Sequence, residues 1–280
     1  MPEGEVYRRL DKVSLDAAYN NSAAVKDSAD RVEDWERIGK TVRAKPNARL
    51  DLAYGPLPRN KIDYFQAAPQ NAPLLVFIHG GYWQRNSKET FSYVADGLVP
   101  LGINVAVIGY TLAPEASLTQ IVGETMQALD FLYDAANDLG FDPTGIFVSG
   151  WSAGGHLAAA AAAHPHVAGV LSVSGVFDLE PIEKTYINDI LNLSQSEIVP
   201  LSPIHNIPAR RIPYLLYVGG DELSELQRQS AAYADALQQA GLTAELSVPP
   251  GYNHFTLVEE MGRPDGLLVQ GVRRLIELAE

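Results

Sequence analysis

Residues 145–155 read Gly145-Ile-Phe-Val-Ser-Gly-Trp-Ser-Ala-Gly-Gly155. Ile146 to Val148 is a short β-branched and aromatic run, and the alanine-rich Leu157 to Ala163 has the propensity of a helix. Between them lies Gly150-Trp151-Ser152-Ala153-Gly154, so the order is strand, sharp turn, helix. A Gly-x-Ser-x-Gly in that setting is a nucleophile elbow. The turn strains the serine backbone, and only glycines at the flanks leave room for strand and helix to cross. Ser152 is then expected at the head of the helix, where the positive helix end and the free N–H of Ala153 face an oxyanion forming on a substrate.

Working outward, Leu74 to Ile78 and Ile103 to Ile108 are apolar without alternation, as expected of central parallel strands covered on both faces. Glu89 to Leu101 and Leu118 to Asn137 suit crossover helices, the second with Ile121, Thr125, Ala128, Leu129 and Leu132 on one face. Leu50 to Tyr54 and Lys61 to Phe65 alternate and are read as peripheral strands. After the elbow, Val167 to Val173, Tyr214 to Val218 and Ala244 to Val248 are strands. Helices are expected at Ser224 to Ala240, closed by Gly241, and near Leu267 to Leu278. Residues 177–212, with Pro181, Pro200, Pro203 and Pro208, break the rhythm and read as a cap insertion over the active site. Residues 1–50 read as an N-terminal arm whose Asn20, Asn21 and Trp35 are turn and packing residues before they are pocket residues. The expectation is a single α/β domain over 1–280, with a mostly parallel sheet, helices on both faces and a small cap.

A chain of 280 residues with 46% hydrophobic content can bury a large core. Its net charge of −13 argues against nucleic acid and against a polybasic membrane patch. No apolar run approaches the roughly 18 residues of a membrane span. Nothing in Met1 to Asn21 resembles a secretory leader, so the expected location is cytoplasmic. There is no cysteine, which removes thiolate catalysis, disulfides and Cys-ligated metal. The expected partner is a small-molecule substrate; a homodimer is compatible with the sequence, and no cofactor or metal is called for.

A nucleophilic serine needs a base, and the base an orienting carboxylate, in the chain order Ser, acid, His. Of six histidines, His254 alone comes late and directly after a strand, and it is the candidate base. Asp221 follows Tyr214-Leu-Leu-Tyr-Val-Gly-Gly220 at the carboxyl end of a strand and is preferred as the acid. Asp178 is the rival, better suited to a turn or hinge. The second oxyanion donor is expected from His79-Gly-Gly-Tyr-Trp83, with Gly81 and Tyr82 beside Ala153. His79 is then a support for that loop. His164 and His166 have minimal metal spacing but no third ligand nearby. Tyr82, Trp83 and Trp151 are the candidate pocket walls.

The chain resembles α/β-hydrolases of the kynurenine formamidase (arylformamidase) group, more distantly the His-Gly-Gly-Gly esterases similar to hormone-sensitive lipase. The resemblance covers roughly residues 50–260. It rests on His79-Gly-Gly-Tyr-Trp-Gln84 followed by Lys88, on Tyr110-Thr-Leu-Ala-Pro114 and on Ser152-Ala-Gly-Gly-His-Leu-Ala158. It implies a triad at Ser152, Asp221 and His254. Trp151 departs from the group, whose members often have His before the serine. The resulting expectation is a metal-free serine hydrolase that cleaves a small N-formyl arylamide through an acyl-enzyme. The alternatives are a broad short-chain carboxylesterase and a non-catalytic ligand receptor on the same fold.

Overall fold

In the computed structural model, which describes residues 6–279, eight strands form one sheet: β1 Ala48–Ala53, β2 Lys61–Phe65, β3 Ala72–Ile78, β4 Asn104–Ile108, β5 Phe141–Trp151, β6 Val167–Val173, β7 Tyr214–Tyr217 and β8 Ala244–Ser247. Residues 1–5 of the expected arm, and Glu280, lie outside the described residues. The strand order is β1-β2-β4-β3-β5-β6-β7-β8; the pairs β1·β2 and β2·β4 are antiparallel, and every other pair is parallel.

The absence of alternation in β3 has the expected cause. Leu74, Val76 and Ile78 enter one apolar cluster, while Leu75 and Phe77 enter a second on the opposite face. Each face is covered by helices. In chain order these are α1 Lys12–Ala18, α2 Asn21–Ala24, α3 Ser28–Arg43, α4 Val94–Leu98, α5 Leu118–Asp134, α6 Ala136–Leu139, α7 Ala153–Ala161, α8 Glu180–Glu183, α9 Asn188–Leu191, α10 Gln195–Leu201, α11 Ser224–Gln239, α12 His254–Glu259 and α13 Leu267–Ala279. Helix α5 starts where Ser117 accepts the N–H of Gln120 at 3.2 Å, an N-cap. It buries Ile121, Thr125, Ala128, Leu129 and Leu132, the face its 3.6-residue period defines.

Three elements differ from expectation. The crossover expected over 89–101 is helical only at α4 and the single 3-10 turn Val99–Leu101; residues 88–94 run through successive backbone turns tied down by side-chain bonds as well. Among these, Lys88 is buried on Asp63 at 2.7 Å, and Arg43 at the end of α3 takes the other Asp63 oxygen at 2.6 Å. His254 opens the short helix α12 rather than sitting in a loop. The Asn253 side chain accepts the N–H groups of Phe255 and Thr256, a capping box the alternation pattern does not reveal.

The third difference concerns residues 177–212. This insertion carries α8, α9 and α10, and its Leu179, Ile182, Ile187, Leu191 and Ile198 join the main core cluster. Its Leu201 carbonyl accepts from Nε2 of His156 on α7 at 2.8 Å. Its apolar residues are thus drawn down against α5 and α7. The face above Ser152 is covered instead by the N-terminal arm. Arg31 of α3 makes two 2.8 Å bonds to the Glu259 carboxylate, and Trp35 adds a third at 3.1 Å.

Candidate active site

Strands β3 and β5 are neighbours at the centre of the sheet, with Ile78 opposite Gly150. Their carboxyl ends therefore bring the His79–Trp83 loop and Ser152 side by side, at the edge where open α/β sheets place their ligands. Ser152 has φ 57° and ψ −118°, a conformation costing on the order of 1–3 kcal/mol for a residue with a side chain. The strain persists because the crossing is tight. A β-carbon on Gly150 would lie 2.1 Å from the Gly154 carbonyl oxygen, and one on Gly154 would lie 2.0 Å from that of Ile78. Ala153 opens α7, so its N–H has no intrahelical acceptor.

The loop after β3 turns through three consecutive positive φ values, 112° at Gly81, 50° at Tyr82 and 59° at Trp83. Gly81 is required there, since an added β-carbon would come within 2.4 Å of the Arg85 carbonyl oxygen. The Gly81 carbonyl accepts from the N–H groups of Gln84 and Arg85 at 3.0 Å each. Among the described residues the N–H groups of Gly81 and Tyr82 have no acceptor. The back of the loop is braced by Gln84, whose side-chain amide donates to the Ile187 carbonyl at 2.7 Å.

The base-bearing side corrects the sequence reading. Nδ1 of His254 lies 2.6 Å from Oε2 of Glu222, not on Asp221. The Glu222 side chain is fully buried, and its Oε1 accepts from the Ser174 hydroxyl and from the N–H of Gly219, both at 2.6 Å. Asp221 is exposed and contributes its backbone N–H to the Tyr252 carbonyl at 3.0 Å. Of the two adjacent acids, Glu222 is turned inward onto the histidine, Ser174 and Gly219, while Asp221 faces solvent. Asp178 instead holds a turn, accepting the Glu180 N–H at 3.0 Å and the Tyr7 hydroxyl at 3.2 Å. The sequence did carry one signal, the pair Asp221-Glu222 after the glycines, but nothing in its order distinguishes the two. Ser174, the third support of the carboxylate, had no signal at all.

Ser152, His254, Gly81 and Tyr82 line one cavity of about 340 Å3. Trp151 and Phe255 form its apolar side together with Ala29 and Val32 of α3. Asn21, Ser22, Ser28, Arg85 and Asn86 form a polar side. Asn21 therefore reaches the pocket, where its amide donates to the Tyr82 hydroxyl at 3.1 Å. Among the described residues, none from 177–212 lines this cavity. Trp83, expected as a wall, does not line it either. Its side chain is fully buried and meets the ring of His156 edge-on at 5.0 Å. Trp35 stays a packing residue of the aromatic cluster behind Trp151.

The remaining histidines do other work. His79 donates from Nδ1 to the Gly80 carbonyl at 2.9 Å and stacks on Tyr110 at 4.2 Å, while the Tyr110 hydroxyl donates to the His79 carbonyl at 2.9 Å. His164 lies 3.1 Å from Asp130, and His166 stacks on Tyr133. Among the described residues no group of three or more His, Cys, Asp or Glu could hold a metal, and no helix is long and apolar enough to cross a membrane.

Burial pushes His79 down to about 3 and His156 down to about 4, against an ordinary value of 6.5. Both are thus neutral when folded, and the unfolded chain binds their protons first as pH falls. Their contribution is present above pH 6.5 and is lost toward pH 3–4, each with a slope of up to about 1.4 kcal/mol per pH unit. The urea midpoint is expected to drop steadily from pH 7 to pH 5, and less steeply in His156→Gln. A midpoint constant across that interval contradicts neutral burial of the two rings.

A mostly parallel eight-stranded sheet with a serine elbow and a late histidine on a buried carboxylate defines an α/β-hydrolase. The chain belongs to the prolyl oligopeptidase family, which it matches over residues 122–266; residues 62–180 also match the BD-FAE family. It is 26% identical to a kynurenine formamidase of Danio rerio, over 84% of each chain. It is 29% identical to one of Salmo salar, over 82% of this chain and 83% of that one. A solved structure from Silicibacter sp. TM1040, provisionally described as a thioesterase, superposes with a TM-score of 0.84 at 29% identity, covering 92% of this chain and 98% of that one.

Proposed function

We propose that this chain is a serine hydrolase that cleaves small N-formyl arylamides through an acyl-enzyme. The observation that carries the reading is the 2.6 Å contact of His254 Nδ1 with the buried Glu222 carboxylate, at a cavity shared with the strained Ser152. Glu222 keeps the Nδ1 proton in place, which leaves Nε2 as the base. Ser152 then attacks the carbonyl as His254 takes its proton. The N–H groups of Gly81, Tyr82 and Ala153 receive the oxyanion, and His254 returns the proton to the departing arylamine. Water, activated by the same imidazole, releases formate.

The kynurenine formamidase relatives support the formamide as substrate, and the chemistry is compatible with it. An aryl ring draws nitrogen density from the carbonyl, and the formyl hydrogen leaves the attack unhindered. The cavity, apolar at Trp151, Phe255 and Val32 and polar at Asn21, Arg85 and Asn86, suits an aromatic group with a polar substituent better than a long acyl chain. A methylesterase of Arabidopsis thaliana acting on isoprenylcysteine is also a relative, 25% identical over 75% of this chain, and it favours short-ester cleavage as a second reading.

The test compares kcat/KM for an aryl formamide with that for the acetate and the decanoate of one phenol. Measurable turnover of formamide and acetate, with poor turnover of decanoate, is expected. Rapid acetate cleavage without detectable formamide hydrolysis replaces the formamidase by a carboxylesterase. A preference for decanoate removes the argument from pocket size, and no turnover of any of the three leaves a ligand receptor.

A further inference from the structure

We infer that Trp151 is a positioning residue that holds the base-bearing turn at His254 in register with the nucleophile; the inference rests on the Ser152–Glu222–His254 reading above. The backbone of Trp151 is the last residue of β5, one peptide bond from Ser152. Its side chain is 4% exposed, and its indole Nε1–H donates to the backbone carbonyl of His254 at 2.8 Å. The two rings lie 4.8 Å apart at 40°. One residue thus joins the segment that carries the nucleophile to the segment that carries the base.

The indole is itself fixed from several sides. Trp35 of α3 meets it edge-on at 5.6 Å, Phe91 lies at 5.6 Å and Phe255 at 5.5 Å. The oxyanion loop also rests on it, since a β-carbon at Gly80 would come within 2.6 Å of the indole Cε3. Glu222 restrains only the Nδ1 end of the imidazole. The position of Nε2 relative to Ser152 depends in addition on the backbone from which the ring springs; Asn253 caps that turn from its N–H side, and Trp151 holds its His254 carbonyl. A misplacement near 1 Å can cost on the order of a hundredfold in rate, so a bond of this kind bears on kcat even though it touches no substrate.

The geometry allows a test that separates positioning from packing. In the five-membered ring of indole, Nε1 is reached from Cβ by the same bond path as Nε2 of imidazole. A histidine at position 151 therefore places an N–H donor near the same point, whereas phenylalanine keeps more of the apolar bulk and has no donor. Packing ranks Trp151→Phe above Trp151→His in thermal midpoint; positioning ranks them oppositely in kcat.

With 4-nitrophenyl acetate as probe, Trp151→Phe is expected to lose about tenfold in kcat, while the KM change from reshaping the apolar wall that Trp151 forms should be smaller and shared by Trp151→His, because the lost bond acts on geometry and not on binding. Trp151→His is expected to recover most of that loss despite a lower thermal midpoint. Equal kcat for Trp151→Phe and wild type, or a kcat order that follows the thermal order, overturns the inference. Ser152→Ala, assayed alongside, tells the two failures apart. If it stays active, the underlying site reading is wrong; if it is inactive while Trp151→Phe turns over like wild type, only the role of Trp151 is lost.

Discussion

Replacing Ser152 by alanine is expected to lower kcat by about ten-thousand-fold or more, the size seen when a nucleophile is removed from a serine triad. What remains is whatever the N–H groups of Gly81, Tyr82 and Ala153 achieve with a water in place of the hydroxyl. The fold is expected to persist, because what holds the elbow is the Ser152 N–H, which donates to the Val173 carbonyl at 2.8 Å and is kept in the alanine variant. Ser152→Gly should be equally inactive yet more stable than Ser152→Ala by roughly 1 kcal/mol or more, since glycine adopts φ 57° and ψ −118° without steric strain. Activity above a tenth of wild type in Ser152→Ala shows that the nucleophile lies elsewhere. A glycine variant less stable than the alanine variant contradicts the strain.

The second large effect is expected at Glu222. Glu222→Gln leaves the shape of the turn intact but offers an amide where His254 Nδ1 needs an acceptor, so the imidazole is free to take the wrong tautomer. The expected loss in kcat is about a thousandfold to ten-thousandfold. Asp221→Asn, one residue earlier, alters an exposed side chain and should remain within about twofold of wild type, as surface changes usually do. The contrast between neighbours is the measurement. If Asp221→Asn is the damaging variant and Glu222→Gln the mild one, the 2.6 Å contact seen here is not the working one.

The Glu222 contact is also the part of the site that local sequence does not encode. The elbow turn at Ser152 and Ala153 and the tight turn at Gly81 were legible because they rest on local backbone demands. A serine between glycines at a strand-to-helix turn, and a glycine where φ is 112°, are constraints of short range that the residue types betray. His254 was legible by its order in the chain. The choice between Asp221 and Glu222 was not, because both are acids at the end of β7 and the difference lies in which one the turn points inward. That is set by the bonds from Ser174 and Gly219, which lie just beyond the ends of β6 and β7.

The same reason governs the walls of the cavity. Trp83 and Trp151 look alike in the sequence, as aromatics beside catalytic motifs. Trp83 turns into the core against His156, and Trp151 faces the cavity while bonding the His254 carbonyl. The N-terminal arm showed only helical patches and a tryptophan. It comes to wall the site because Arg31 and Trp35 find Glu259, 228 and 224 residues away in sequence.

By itself, then, the sequence determined the order of the strands and of the longer helices α5, α7, α11 and α13, the elbow and the late histidine, because each depends on periodicity, glycine or position along the chain. Which carboxylate serves the histidine, which tryptophan meets the cavity and which segment covers it were decided only by the tertiary structure. These are outcomes of packing between residues far apart in the chain, and no local pattern encodes the direction in which a side chain will find its partner.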